Sequence, residues 1–126
     1  MCPTTLPPSV CVTLGEDHAT LTLSGELDLA SRELLDAACH EAARSSRSRL
    51  LVDMESVTFV DCGSLALLRS ALDRAAPRVG PVPVAAGHRL VLRVMDLTGF
   101  SRAHVVVRSV EEALRFLRHP PPARTG

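Results

Sequence analysis

The 126-residue chain has no lysine, asparagine, glutamine, isoleucine, tryptophan or tyrosine. Without lysine, no mechanism that needs a side-chain amine is open to it. Phe59, Phe100 and Phe116 are its only phenylalanines, so the core must be aliphatic. The same scarcity removes the stacking platforms that single-stranded nucleic-acid binding uses. Fourteen arginines balance fourteen acidic residues, which leaves no electrostatic footprint for nucleic acid or an anionic membrane. No apolar run approaches a membrane span. The beginning lacks the basic and apolar regions of a signal peptide. Cys2, Cys11, Cys39 and Cys62 include no C-x-x-C pair, so zinc-ribbon and thioredoxin chemistries have no support. The five histidines show no H-x-x-H or H-E-x-x-H spacing and read as surface or loop residues. These absences lead to the expectation of a cytoplasmic protein with reduced thiols, no metal and no cofactor.

The composition is that of a globular chain, long enough for one domain with its own core. Residues 1–8 read as a flexible arm, 9–118 as the domain and 119–126 as a disordered proline-rich tail. Val10, Val12 and Leu14 alternate with polar residues, as in a half-buried strand. Gly15 to His18 is a turn, and Leu21 and Leu23 alternate in a second strand, making an antiparallel hairpin. Ser31 is the expected N-cap of a helix whose buried stripe is Leu34, Leu35, Ala38 and Ala42. Val82 to Ala86 reads as a strand. Leu90, Val91, Val94 and Leu97 give a helical stripe that closes at Gly99. His104 to Val107 is a last short strand. Ser109 and Glu112 form a capping box for a final helix, with Ala113, Leu114 and Leu117 on its apolar face.

The informative stretch is Arg49 to Leu72. Leu50, Leu51 and Val52 read as a strand buried on both faces. A polar junction, Asp61-Cys62-Gly63-Ser64, follows. Leu65, Leu68 and Leu72 then recur at helical spacing, with Arg69, Asp73 and Arg74 facing away and Pro77 and Gly80 as the stop. Strands that alternate with helices predict an α/β domain. Its sheet is mixed, an N-terminal antiparallel hairpin plus parallel strands, packed with about four α-helices. Junctions beyond strand carboxyl ends are where such folds meet ligands and partners.

Three stretches, in this order, resemble the STAS domain of bacterial anti-sigma factor antagonists. Ser24-Gly25-Glu26-Leu27-Asp28-Leu29-Ala30 is similar to the family's G-E-(L/V)-D-x-(A/S). Leu50 to Leu65 is similar to its strand followed by V-T-F-(M/I)-D-S-S-G-L. Leu97-Thr98-Gly99-Phe100 is similar to its L-x-(L/I)-(T/A)-G-(L/F). The resemblance covers Ser9 to Arg118. It implies a freestanding regulatory module and no catalysis. The implied partner is an anti-sigma factor that is also a serine kinase of the histidine-kinase-like ATPase type. Docking frees a sigma factor, and phosphorylation of the first serine in D-S-S-G ends the docking. The implied docking surface is Gly25, Glu26 and Asp28, the Asp61–Ser64 junction and Arg69 on the helix that follows.

The chain departs from the family at that loop. Asp61 is kept, Cys62 takes the phosphoserine position, and Gly63 and Ser64 replace serine and glycine. A thiol is no substrate for a serine kinase, so the switch is expected to be lost or moved to Ser64. Otherwise Ser64 or Asp61 simply caps the helix. Three further readings stay open. Cys62 at a helix start could act as a redox thiol. The domain could be a scaffold or small-ligand module outside a sigma circuit. Asp28 could be a turn residue with no docking role. A cation site from Asp53, Glu55 and Asp61 has no supporting spacing. A phosphoreceiver reading lacks its lysine and its early acidic pair.

Overall fold

Leu50, Val52 and Met54 are buried in one core, and Leu51 between them is buried in another. A strand whose successive side chains both find cores must lie inside a sheet covered on both faces. The computed structural model describes residues 9–15, 17–44 and 49–119, and places this strand at the centre of a five-stranded sheet. The arm 1–8 with Cys2, and residues 120–126 of the tail, lie outside the described residues.

The strands are β1 (Ser9–Leu14), β2 (Ala19–Leu27), β3 (Leu50–Val60), β4 (Val84–Ala85) and β5 (Val106–Val107), in the sheet order β1-β2-β3-β4-β5. β1 runs antiparallel to β2, from Ser9 opposite Ser24 to Leu14 opposite Ala19. The Gly15 amide donates to the His18 carbonyl at 2.7 Å and closes the expected hairpin. All other pairs are parallel. The helices are α1 (Arg32–Arg44), α2 (Cys62–Val79), α3 (Arg89–Leu97), α4 (Phe100–Ala103) and α5 (Val110–Arg118). Buried residues of α1 to α4 share one core with the sheet, while Ala113 and Leu117 of α5 close a second over Leu51 and Ala85. No helix among the described residues is long and apolar enough to cross a membrane.

Several local expectations need correction. β3 does not stop near Val52 but continues to Val60. Its ladder with β2 shifts register twice, between Thr22 and Ser24 and between Gly25 and Glu26. Each shift absorbs an extra β3 residue, as a bulge does, so Val57 and Val60 return to the core that holds Met54. Asp53 therefore lies inside the strand, where its Oδ1 accepts from the Glu55 amide at 3.0 Å. Ser31 does not cap α1. A 3-10 turn, Leu29–Ser31, precedes that helix and is capped by Asp28. Leu34, Leu90 and Leu97 are exposed, the last by 72%. Cys39 and Met95 fill the core instead, because Leu35, Ala38, Cys39 and Ala42 form the stripe of α1, and Val91 and Met95 that of α3. Pro77 lies within α2, and the helix ends at Gly80, whose φ of 78° suits glycine. Gly99, with φ 81°, closes α3 as expected, and the unforeseen α4 follows directly. Ser109 caps α5 through the Glu112 amide at 3.1 Å. Glu112 reaches back to the amide of Arg108 rather than that of Ser109.

The two-core arrangement makes a direct prediction. Leu51→Ala should cost about 2–5 kcal/mol in denaturant unfolding, the usual range for a buried leucine. Leu97→Ala should stay within about 0.5 kcal/mol of wild type, as at an ordinary surface position. Equal losses would overturn the assignment of faces.

Candidate functional site

β2 and β3 are parallel and end side by side, with Leu27 opposite Val60. The Asp61 amide then donates to the Leu27 carbonyl at 3.0 Å. This bond holds the segments that follow the two strands together, beyond their carboxyl ends. Gly25–Asp28 and Asp61–Ser64, 33 or more residues apart in sequence, thus share one rim of the sheet.

On the β2 side, Gly25 is buried with φ 83°, a conformation that favours glycine. Glu26 is exposed and pairs in register with Phe59. Asp28 serves the backbone: its Oδ1 accepts from the Ala30 amide at 3.0 Å. The Ser31 hydroxyl accepts from the Asp28 amide at 3.0 Å and donates to the Asp28 carbonyl at 3.1 Å. Together these form a reciprocal capping box.

On the β3 side, Asp61 is the N-cap of α2, and its Oδ1 accepts from the Ser64 amide at 2.7 Å. Its Oδ2 lies 3.1 Å from Nη2 of Arg32, the first residue of α1. Burial pushes the Asp61 carboxyl up, but the Ser64 amide and the Arg32 guanidinium outweigh it and hold the group below the ordinary carboxylate value. Cys62 is exposed at the first position of α2. Ser64, only two residues on, is fully buried. Gly63 lies beneath Arg32. A Cβ at this position would meet Nη2 at 2.0 Å and Cζ at 2.4 Å.

Arg69 is exposed about two turns beyond Cys62 along α2. Between it and Cys62 opens a cavity of about 200 Å³ lined by Cys62, Leu65, Ala66, Arg69, Thr98 and Phe100. Exposed apolar residues come from neighbouring segments: Leu29 follows Asp28, Phe59 pairs with Glu26, and Leu97 precedes Thr98.

The other candidate groups have structural partners. Glu55 Oε2 accepts from the Val110 amide at 2.7 Å at the start of α5. Among the described residues, no three His, Cys, Asp or Glu side chains gather as a metal site would require. His104 Nε2 donates to Asp73 Oδ1, 3.0 Å away, and the ring stacks on Phe100. Cys39 is buried, and desolvation, with Asp36 adding to it, pushes its thiol up to about 11. Reading the sequence missed Arg32, Thr98 and Phe100 as site residues. Arg32 meets Asp61 across 29 positions, and no local pattern signals such a contact.

This geometry sets two expected outcomes. Gly63→Ala should expel the guanidinium and cost no more than the partly exposed Arg32–Asp61 pair, about 0.2–1 kcal/mol. On an Arg32→Ala background it should cost nothing further, and a double-mutant cycle read by urea unfolding checks this. Strictly additive losses would show that Arg32 is not the obstacle. Because the fold depresses the Asp61 pKa, its ionised form stabilises the native state above the unfolded value of about 3.9. That contribution is lost as pH falls through the lower native value. Asp61→Asn should therefore be less stable than wild type at neutral pH, and the difference should vanish in acid.

Comparison with known proteins agrees with the geometry. The family described as "Mlab, STAS domain" matches residues 11–111. The anti-sigma-F factor antagonist RsfB of Mycobacterium tuberculosis is 25% identical over 114 residues, covering 89% of this chain and 93% of that protein. The crystal structure of an anti-sigma factor antagonist from Mycobacterium paratuberculosis superposes with a TM-score of 0.82 at 21% identity, over 89% of this chain and 95% of that one. The anti-sigma factor antagonist SpoIIAA in its unphosphorylated form gives 0.72 at 17% identity, over 90% of this chain and all of the other. The mixed sheet, the helix order and the family match together place this chain in the STAS domain family.

Proposed function

We propose that this chain is an anti-sigma factor antagonist, acting in the cytoplasm and catalysing nothing itself. It docks on an anti-sigma factor of the serine-kinase, histidine-kinase-like ATPase type and so releases a sigma factor. The observation that carries the reading is the single rim made by Gly25, Glu26, Asp28, Asp61 and Cys62, with Arg69 beyond it on α2. The names of the relatives support it. Such a rim offers charge, exposed apolar area and a helix start to a protein partner. The cavity there, about 200 Å³, is smaller than the usual small-molecule site of roughly 300–1,000 Å³.

The regulatory step is proposed to be lost. A phosphate at the first residue of α2 would be tolerated by the helix N-terminus and would block docking by charge and bulk, leaving the fold intact. Cys62 holds that position and offers a thiol where the kinase needs a hydroxyl. Ser64 is a poor substitute because its hydroxyl is fully buried, so a kinase could reach it only by opening the first turn of α2. The antagonist then stays competent to dock whatever the kinase does. A STAS module outside any sigma circuit is the second reading, favoured by the same missing acceptor.

The test is a pull-down with the ATPase encoded in the same gene neighbourhood, followed by incubation with ATP and site mapping by mass spectrometry. Binding without phosphate transfer is expected, and Cys62→Ser should gain phosphate at residue 62. Absence of binding would remove the antagonist reading and leave the second one. Phosphate on Ser64 of the wild-type chain would show that the switch moved and was not lost.

A further inference from the structure

The cavity beside Cys62 has a chemistry of its own. Leu65 and Phe100, both nearly fully buried, line it together with Ala66. Thr98 adds little polarity, since its hydroxyl already donates to the Val94 carbonyl at 2.7 Å. The one charge on its rim is Arg69. The nearby carboxylates are engaged elsewhere. Asp73, one turn along α2, contacts His104 at 3.0 Å, and Asp61 contacts Arg32 at 3.1 Å. Among the described residues Arg69 has no ion-pair partner. An apolar hollow with an exposed, unpaired guanidinium at its edge suits an occupant with an apolar tip and a carboxylate beside it. At about 200 Å³ the hollow fits one side chain better than a metabolite.

We infer that this hollow is the anchor socket of the docking surface, filled by one aliphatic or aromatic side chain of the partner. A neighbouring Asp or Glu of the partner pairs with Arg69. The inference rests on the docking role proposed above and adds to it the chemistry of the segment that docks. Hot spots in protein interfaces take this form, with an apolar anchor desolvated in a pocket and charge at its margin. Exposed Leu97, next to Thr98, extends the apolar surface outward. The positive edge serves orientation and association rate as much as affinity.

Ala66 and Arg69 are exposed positions on α2, so they can be changed without disturbing the core. The experiment measures affinity of the gene-neighbourhood ATPase for wild type, Ala66→Phe and Arg69→Glu, with thermal unfolding as the control for folding. Ala66→Phe fills the socket and should weaken binding on the order of a hundredfold. Arg69→Glu should weaken it by roughly tenfold or more, with partial rescue when one acidic residue of the ATPase is reversed to arginine. Cys62 lines the socket, so its alkylation by a maleimide should slow sharply in the wild-type complex. Wild-type binding with Ala66→Phe unaffected, or with Cys62 alkylated at its free rate, would overturn the socket and leave the docking role standing. No wild-type binding would overturn both.

Discussion

Asp61, just past the end of β3, makes four contacts that tie β2, α1 and α2 together. Its amide donates to Leu27 at the end of β2, and its carbonyl accepts from Leu65 in α2. One carboxylate oxygen caps α2 through Ser64, and the other takes the guanidinium that begins α1. The remaining features of the rim follow from this. The loops after β2 and β3 must run together, α2 must start where they meet, and Cys62 must face outward because Ser64 and Leu65 turn inward. The two carboxylate contacts are stronger when the group is ionised. The Ser64 amide and Arg32 together overcome the burial that would favour its protonated form.

Arg32 also explains why residue 63 departs from the family pattern. The guanidinium lies across the first turn of α2, in space that any side chain at residue 63 would claim. Glycine is therefore a steric requirement of the Arg32–Asp61 contact as it stands. Serine at this position, as the STAS resemblance would have it, could be housed only by moving the guanidinium away. The exchange of Gly63 and Ser64 behind Cys62 is one repacking: glycine makes room for arginine, and the serine that follows is turned into the core. A reading of the loop that counts serines within three positions misses this, because burial and not proximity in sequence decides which hydroxyl is available.

Much of the architecture was legible because it rests on local periodicity. The hairpin, the doubly buried β3, the helix at Cys62 and the glycine closing α3 each follow from two to six neighbouring residues. The errors have a common physical origin, since tertiary pairing overrode local signal. β3 runs on through Asp53, Glu55 and Ser56 because bulges against β2 restore its inward pattern at Val57 and Val60. Leu34, Leu90 and Leu97 look like core residues by type, but the faces of their helices are set by Leu35, Val91 and Met95. Ser31 looks like a helix cap, yet its hydroxyl serves the capping box of Asp28 one turn earlier. At the candidate site, motif position found Asp61 and Cys62. Arg32 comes from α1, and Thr98 and Phe100 from the stretch joining α3 to α4; only folding brings these two segments near.

The same geometry separates two roles that the STAS resemblance combines in one loop. Shaping the rim needs a cap, a tight first turn and a fixed path for the chain. Asp61, Gly63 and the bond to Leu27 supply these without any group on residue 62. Switching, on the proposed reading, would need an exposed hydroxyl at the helix start, where residue 62 stands and Ser64 is buried. On the proposed reading, a thiol in place of the hydroxyl would remove the second role and leave each contact of the first in place. Loss of control and retention of the surface are therefore compatible on physical grounds, because no atom of the Cys62 side chain takes part in the hydrogen bonds that hold the rim.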